Sequence, residues 1–171
     1  MRIERHWAMP SRHTFTIKPI AELLTELDVV RGEWADPFAG FHSPATIQND
    51  LNPDTPAQSH QDALEFLNEL PSAYFDGVLY DPPYSYRQAS EVYKAYGREL
   101  HSCTVTRADY WAKCKAEVAR IVKPGGLVVC CGWRSGGIGK VHGMELERVL
   151  LVPHGGDHND TIVTVERQVH G

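Results

Sequence analysis

Short apolar runs separated by turn residues alternate with segments of helical periodicity along this chain of 171 residues. Short apolar or alternating runs bounded by Gly, Pro, Asn and Asp indicate strands. This pattern predicts strands at 27–35, 45–50, 75–80, 127–131, 145–152 and 161–168. The run 127–131 is wholly apolar, as expected for a strand buried on both faces. The last two runs alternate, which predicts an antiparallel hairpin.

Helical periodicity predicts amphipathic helices at 20–27, 60–67, 88–100 and 109–122. Thr16 is the predicted N-cap of the first helix, with Pro19 in its first turn. The sequence Lys-Pro-Gly-Gly at 123–126 is predicted to stop the last helix, because Gly and Pro are common helix terminators.

The segment Asp81-Pro82-Pro83-Tyr84 follows the apolar run 75–80, at the carboxyl end of a predicted strand. A carboxylate there can accept a hydrogen bond from an exocyclic amine, and the carbonyl of Pro82 can accept a second. The Tyr84 ring offers a stacking surface for a planar base. The alternative is a strand that ends in an ordinary turn, because Pro-Pro pairs occur in many loops. The placement directly after a strand favours an amine site.

Asp-Pro-Pro-Tyr after a strand is the signature of amino-methyltransferases. The chain therefore resembles the S-adenosylmethionine (SAM) dependent enzymes that methylate N6 of adenine or N4 of cytosine. The resemblance implies an α/β, Rossmann-like fold with a mostly parallel sheet that ends in a C-terminal antiparallel hairpin. It implies SAM as cofactor and Asp81, Pro82, Pro83 and Tyr84 as catalytic residues. Because Asp rather than Ser begins the motif, the resemblance favours N6 of adenine in DNA as the methyl acceptor.

The same resemblance assigns a cofactor site. Residues 36–40 resemble the first SAM motif, in which an acidic residue and a glycine let the backbone approach the methionine part of the cofactor. Asp50 ends the second predicted strand, where a Rossmann-like site binds ribose hydroxyls. Asp62 stands where the family has an Asp that binds the adenine amino group of the cofactor. The residues implied to bind the cofactor are Thr16, Ile17, Lys18, Asp36, Pro37, Phe38, Gly40, Asp50, Asn52, Asp62 and Ala63.

Three features depart from the family pattern. His42 occupies the position of the second glycine of the SAM loop, where a side chain crowds the cofactor unless the loop takes another path. Residues 37–44 are too few for a crossover helix between parallel strands, so the first crossover helix is predicted to be reduced or absent. Between Tyr84 and Lys123 there is room for two helices but for no target-recognition segment. The lack of a recognition segment would be compensated by a second copy of the chain, by a specificity partner or by tolerance of many sequence contexts.

The composition, with 42% hydrophobic and 23% charged residues, is that of a globular protein and predicts a single domain over residues 1–171. No apolar stretch approaches the length of a membrane span, and the first residues lack a secretory core. We therefore expect a cytoplasmic protein with no membrane partner.

The net charge of -5 argues against a simple DNA binder, because nucleic-acid affinity depends on Lys and Arg that neutralise phosphates. Local basic clusters offset this charge near the N-terminus, around 87–107 and in the glycine-rich segment 132–140. That segment follows a predicted buried strand. It is interpreted as a flexible rim of the active site or, equally, as a plain irregular connection.

The cysteines and histidines do not suggest a metal site. The four cysteines, at positions 103, 114, 130 and 131, lack the spacing of metal ligands and are predicted to be reduced core thiols. His154 and His158 flank glycines in a loop and could bind a metal, but the favoured prediction is a solvated hairpin tip. We expect no metal, since methyl transfer from a sulfonium requires none.

Two other functions remain open. The chemistry of the motif does not read the sugar, so an RNA base amine is an alternative acceptor. From a different class, the chain could be a non-catalytic SAM-fold subunit of a larger complex. The intact Asp81 and Tyr84 argue against that role, whereas His42 argues for it.

Overall fold

The computed structural model describes residues 1–83, 86–97 and 108–169, and of residues 86–90 and 108 the backbone only. Over these ranges the strands are β1 (Arg2–Arg5), β2 (Trp34–Asp36), β3 (Ile47–Gln48), β4 (Phe75–Tyr80), β5 (Val122–Gly132), β6 (Met144–Val152) and β7 (Thr161–Gln168). The α-helices are α1 (Lys18–Glu26), α2 (Ala63–Glu69), α3 (Tyr86–Ala95) and α4 (Ala108–Ile121).

The strands form one sheet in the order β1-β6-β7-β5-β4-β2-β3. All neighbouring strands are parallel except that β7 runs antiparallel to both β5 and β6. This arrangement confirms the predicted mostly parallel sheet with a C-terminal antiparallel hairpin. Between β2 and β3 the described chain contains no helix, as the short spacing predicted.

Apolar side chains pack on both faces of the sheet, and β4 shows the alternation. Val78 and Tyr80 lie in a core cluster with α2 and α4, whereas Leu79 lies in a second cluster with α1. Burial on both faces of a strand is the rule for parallel sheets covered by helices. The prediction of core thiols is confirmed for Cys114, Cys130 and Cys131, which are buried and free, and Cys103 lies outside the described residues.

The predicted strand 27–35 is wrong over most of its length. Asp28 adopts a left-handed conformation, and Val29–Arg31 forms a 3₁₀ turn, so that only Trp34–Asp36 is a strand. Val29 is buried while Val30 is exposed. This alternation imitates a strand but arises from a tight turn that follows α1.

The predicted start of α1 is wrong in its capping residue, whereas the predicted end of α4 is confirmed. Thr16 does not cap α1: the capping residue is Ile17, without a side-chain bond, and the Thr16 hydroxyl donates to the carbonyl of His13 at 2.8 Å. Pro19 does lie in the first turn of α1. Helix α4 ends at Ile121, just before the Lys-Pro-Gly-Gly segment, which itself belongs to β5. The first residue of β5, Val122, pairs with Phe75 of β4.

Strand β1 was not predicted, since its sequence lacks an apolar alternation, and it pairs in parallel with β6. The chain after β1 stays along the same edge, where the backbone N–H groups of His6 and Ala8 donate to the carbonyls of Leu151 and Pro153.

None of the helices in the described ranges has the length and apolar character needed to cross a bilayer.

The prediction of a solvated position for His154 is wrong. Its side chain is buried, with Nδ1 2.9 Å from the carbonyl oxygen of Ala8 and Nε2 2.8 Å from the Thr161 hydroxyl. The two contacts join the start of the chain to the hairpin β6–β7. His158 is exposed, as predicted.

Candidate active site

A cleft of about 590 Å³ opens at the edge of the sheet where the parallel strands β2, β3 and β4 end. In open α/β sheets this carboxyl edge is the usual position of ligand sites. Most of the residues implied by sequence to form the site line it, namely Pro37, Phe38, Gly40, Asp50, Asn52, Ala63, Asp81, Pro82 and Pro83. The fold thus brings the amine motif and most of the cofactor motif to one cavity.

Asp36, the last residue of β2, is fully buried and shapes the loop that follows. Its carboxylate accepts the backbone N–H of Phe38 at 2.9 Å and the hydroxyl of Ser43 at 2.6 Å. Burial raises the pKa of Asp36 to about 7, and the negative charges of Asp81 and Asp50 add to the rise, against the opposing effect of the two hydrogen bonds. Asp36 does not line the cleft, so its role is to organise a loop that does.

Gly40 and Asp50 join the loop after β2 to the segment after β3. The backbone N–H of Gly40 donates to the Asp50 carboxylate at 2.7 Å, with Gly40 in the left-handed region at φ 56°. The other carboxylate oxygen accepts the N–H of Asn52 at 2.8 Å. Because each carboxylate oxygen has two lone pairs, Asp50 can accept further hydrogen bonds while its orientation is fixed.

Asn49 is a residue of the cleft lining that the sequence analysis missed. Its side-chain amide donates to the carbonyls of Pro37 and Gln61 at 3.2 and 3.1 Å, and its side-chain oxygen accepts the N–H of Gln61 at 2.9 Å. Its backbone exchanges hydrogen bonds with Asp36 and Ala39. Asn49 is buried, lines the cleft and holds three of its walls together. The sequence signal that could have identified Asn49 is a polar residue near the end of a predicted strand, directly before Asp50.

The amine motif lies at one side of the cleft. Asp81, Pro82 and Pro83 follow β4 directly and line the cavity with partly exposed side chains. The Asp81 charge acts on both Asp36 and Cys131, where it helps burial to raise their pKa values. The fourth residue of the motif, Tyr84, lies outside the described residues.

Phe38 connects the cleft to the core beneath it. Its ring contacts Tyr80 edge-on, with 5.6 Å between centroids, and lies 6.4 Å from Trp111 of α4. Edge-on packing is a favoured geometry for aromatic pairs. The loop after β2 is therefore anchored by a polar group, Asp36, and by an aromatic one.

Asp62 and Ala63 occupy the start of α2. Asp62 is the N-cap, and its carboxylate accepts the backbone N–H of Leu64 at 2.9 Å. The same carboxylate accepts the hydroxyls of Tyr93 and Tyr110. Ala63 lines the cleft and Asp62 does not. Tyr93, which lines the cleft from α3, is a second residue that the sequence analysis missed.

The N-terminal segment contributes a wall to the cleft, but through other residues than Thr16, Ile17 and Lys18. Those three lie outside the lining: Ile17 is buried, and Thr16 and Lys18 are exposed. The cleft is instead lined by the residues just before them, 11–14. The helix start was recognised in the sequence, whereas the path of the preceding segment over the site depends on tertiary contacts.

His42 does not crowd the cleft. Its exposed ring packs edge-on against His13, with 4.5 Å between centroids, and lies outside the cleft lining. Partial burial lowers the pKa of His13, and the neighbouring charges of His42 and Arg12 lower it further.

In the described residues no group of three His, Cys, Asp or Glu side chains could hold a metal ion.

The glycine-rich loop after β5 is anchored rather than free. Glu166 of β7 is buried, and its carboxylate accepts the backbone N–H groups of Ile138 at 2.6 Å and Gly139 at 2.9 Å. The Lys115 ammonium donates to the carbonyl of Gly137 at 2.5 Å. Residues 137–139 are tied by hydrogen bonds and lie outside the cleft lining, which favours the interpretation as an irregular connection over that as a rim of the active site.

Comparisons with known proteins bear on the fold. No protein-family model and no curated protein matches the sequence. Among solved structures, the 1,6-didemethyltoxoflavin-N1-methyltransferase of Burkholderia thailandensis, with bound 1,6-didemethyltoxoflavin and S-adenosylhomocysteine, aligns with a TM-score of 0.59. The alignment has 13% identity and covers 88% of this chain and 76% of that one. The fold is that of the Rossmann-like methyltransferases.

Two further neighbours have the same methyltransferase fold. The N-methyltransferase NodS from Bradyrhizobium japonicum aligns with a TM-score of 0.57 at 10% identity, over 90% of this chain and 96% of its own. TrmN from Thermus thermophilus aligns with a TM-score of 0.56 at 15% identity, over 90% of this chain and 49% of its own. Because one fold serves many substrates, the fold alone does not identify the substrate.

Proposed function

We propose that this protein transfers a methyl group from SAM to an exocyclic base amine, with N6 of adenine in DNA as the favoured acceptor. The observation that carries the proposal is the shared cleft: Asp81, Pro82 and Pro83 line the same cavity as Gly40 and Asp50. An amine-binding motif and a ribose-binding carboxylate in one cavity suit a reaction between a nucleoside cofactor and an amine. The Burkholderia neighbour holds S-adenosylhomocysteine, the product of such a transfer.

The residues of the cleft fit SAM, which supplies a methyl group on a positively charged sulfur. Asp50 and Asp81 line the cleft, and both lie close enough to Asp36 for their charges to raise its pKa. Concentrated negative charge favours a cationic ligand over a neutral one. Asp50 and Asn52 would hold the ribose, and the backbone around Gly40 would hold the methionine part. Ala63 would contact the adenine.

Asp81 and the Pro82 carbonyl would accept the two hydrogens of the target amine. The lone pair of such an amine is delocalised into the ring, so acceptors that favour a pyramidal nitrogen increase its reactivity. Asp81 need not be a strong base, because positioning and preorganised electrostatics supply most of the acceleration in such transfers. In a duplex the amine is paired, so the base must be flipped out of the stack, and Tyr84 would stack on it.

Target choice is proposed to depend on a second copy of the chain or on a specificity partner acting in the cytoplasm. The net charge of -5 supports this view, because phosphate contacts would have to come from local clusters or from a partner. Arg12 and His13 line the cleft and belong to the basic N-terminal segment.

The test is transfer of labelled methyl from SAM to unmethylated duplex DNA, single-stranded DNA and total RNA. Wild type is compared with Asp81→Ala and with Asp157→Ala, a matched variant at an exposed acid of the β6–β7 loop. We expect label in DNA that is lost at least about 1000-fold in Asp81→Ala and kept in Asp157→Ala. Digestion to nucleosides then identifies the methylated base.

Each other outcome selects an alternative. Label in RNA alone would move the acceptor to an RNA base amine. SAM binding without transfer to any of the three would favour a non-catalytic subunit or a missing partner. Equal label with wild type and Asp81→Ala would remove the motif from the mechanism.

A further inference from the structure

The Asp62 carboxylate lies at the centre of a cluster that joins three helices. It accepts the N–H of Leu64 in α2 at 2.9 Å and the Tyr110 hydroxyl of α4 at 3.0 and 2.9 Å. It also accepts the Tyr93 hydroxyl of α3, and the two phenol oxygens lie 3.5 Å apart. Burial raises the pKa of both tyrosines, and the negative charge of Asp62 raises it further, so both remain hydrogen-bond donors.

These donors occupy most of the hydrogen-bonding capacity of the carboxylate. A carboxylate offers about four lone-pair sites, and three donors already use this one. Asp62 does not line the cleft, whereas its chain neighbour Ala63 and its hydrogen-bond partner Tyr93 do. The surface that a ligand meets at this end is therefore the tyrosine and not the acid.

We propose that Tyr93 forms the wall that contacts the adenine of the cofactor and that Asp62 is a positioning residue that acts through Tyr93. The inference rests on the proposed use of SAM. It replaces a direct bond between Asp62 and the adenine amino group with an indirect role. Helix α3 begins three residues after Pro83, so the same cluster also fixes the helix that follows the amine motif.

The geometry provides a matched pair of variants. Tyr93→Phe and Tyr110→Phe each remove one phenol from the same carboxylate, but only Tyr93 lines the cleft. Tyr110 is buried. A purely structural cluster would respond in the same way to both changes. A positioning role predicts that they affect ligand binding differently.

The experiment measures the dissociation constant of S-adenosylhomocysteine by calorimetry and the unfolding temperature of each variant. We expect Tyr93→Phe to weaken binding about 5-fold and Tyr110→Phe to change it less than about 2-fold, with similar losses of unfolding temperature. Asp62→Asn keeps an oxygen that can cap α2 and should weaken binding about as much as Tyr93→Phe. The double variant Asp62→Asn/Tyr93→Phe should bind S-adenosylhomocysteine no more weakly than either single variant, because both changes act through one contact.

A second ligand separates the direct and indirect roles of Asp62. The inosine analogue of S-adenosylhomocysteine has an oxygen in place of the adenine amino group. An indirect role predicts that Asp62→Asn weakens both ligands by the same factor. The inference is overturned if Asp62→Asn abolishes a preference of about 10-fold or more for the adenine form while Tyr93→Phe binds like wild type. Failure of folded wild type to bind either ligand would instead overturn the use of SAM, and this inference with it.

Discussion

Two loops at the carboxyl edge of the sheet are each organised by a buried carboxylate, but the carboxylates come from different places in the chain. Asp36 accepts hydrogen bonds from Phe38 and Ser43, two and seven residues further on. Glu166 of β7 accepts the N–H groups of Ile138 and Gly139, 28 and 27 residues earlier. The first loop is held by the residue that begins it, and the second is held by a neighbouring strand.

The charges around the two carboxylates differ as well. Asp36 lies near the acids Asp50 and Asp81, and burial raises its pKa to about 7. The loop held by Glu166 also receives a cation, since Lys115 binds the carbonyl of Gly137. A buried carboxylate therefore organises each loop in a different electrostatic setting. Near Asp50 and Asp81 the carboxylate of Asp36 has a raised pKa, whereas the loop held by Glu166 is also bound by the ammonium of Lys115.

The largest expected effect is a pH dependence caused by Asp36. In the unfolded chain its pKa is near 3.8, and in the fold it is about 7, so the folded state keeps a proton that the unfolded state has released. The contribution of Asp36 to the free energy of unfolding is therefore largest below about pH 4, falls as the pH rises to 7 and is constant above that pH. The expected loss is about 4 kcal/mol over that window, and urea unfolding at several pH values measures it.

Asp36→Asn isolates this effect from the other titrating groups. The amide stays neutral, so the free energy of unfolding of the variant, relative to wild type, should rise with pH through the same window. Asp157→Asn, at an exposed acid, should show no such trend. A constant difference between Asp36→Asn and wild type from pH 4 to 7 would mean that Asp36 is ionised throughout.

The second effect concerns the other loop. Glu166→Ala removes the acceptor of two N–H groups, and an unsatisfied buried donor costs about 1–3 kcal/mol, so we expect a loss of about 3 kcal/mol. The affinity for S-adenosylhomocysteine should not change, because this loop does not line the cleft. Urea unfolding and calorimetry measure the two quantities, with Glu145→Ala at an exposed position as control. A large loss of affinity with normal stability would contradict this separation.

A pair of glycines offers a finer comparison. Gly40 and Gly137 both have left-handed conformations, but a Cβ at Gly137 would lie 2.2 Å from Glu166 Oε2, whereas a Cβ at Gly40 meets no atom within 4 Å. We expect Gly137→Ala to cost about 2 kcal/mol and Gly40→Ala about 1 kcal/mol, the backbone strain alone. Thermal unfolding measures both. Equal costs would show that Glu166 moves away without loss.

The smallest effect is expected at Tyr80, which ends the strand between the two loops. Its ring packs on Phe38, and its buried hydroxyl has no hydrogen-bond partner within the described ranges. Tyr80→Phe keeps the ring and removes an unsatisfied polar group, so it should stabilise the fold by about 1 kcal/mol. A destabilised variant in the same thermal measurement would reveal a partner for the hydroxyl.

The sequence predicted those parts of the site whose contacts are local. Asp36 is the last residue of β2, Asp50 lies two residues after β3 and Asp81 directly follows β4. A carboxylate at a strand end is recognisable without knowledge of distant residues. The same local reasoning predicted a helix at 60–67, which overlaps α2, and the absence of a helix between β2 and β3. It was wrong for 27–35, where a turn imitates the alternation of a strand.

The parts that sequence reasoning missed depend on contacts between distant segments. Asn49 bonds residues 12 positions away on both sides, Tyr93 bonds Asp62 31 positions away, and Glu166 bonds a loop in front of the hairpin. No local pattern identifies such partners, because each depends on which strands and helices become neighbours. The N-terminal wall of the cleft was displaced from the predicted residues for the same reason.

The pairing of β1 with β6 has a consequence for synthesis of the protein. Arg2 lies opposite Arg148, and the segment that follows β1 is held by the carbonyls of Leu151 and Pro153 before it reaches the cleft. Strand β1 therefore waits for β6 to be synthesised, because 146 positions separate Arg2 from Arg148, which takes on the order of 10 s at usual elongation rates. Pairings this distant in sequence also slow folding. A nascent chain therefore cannot fix the N-terminal wall of its cleft, residues 11–14, until β6 has been translated and is free to pair with β1.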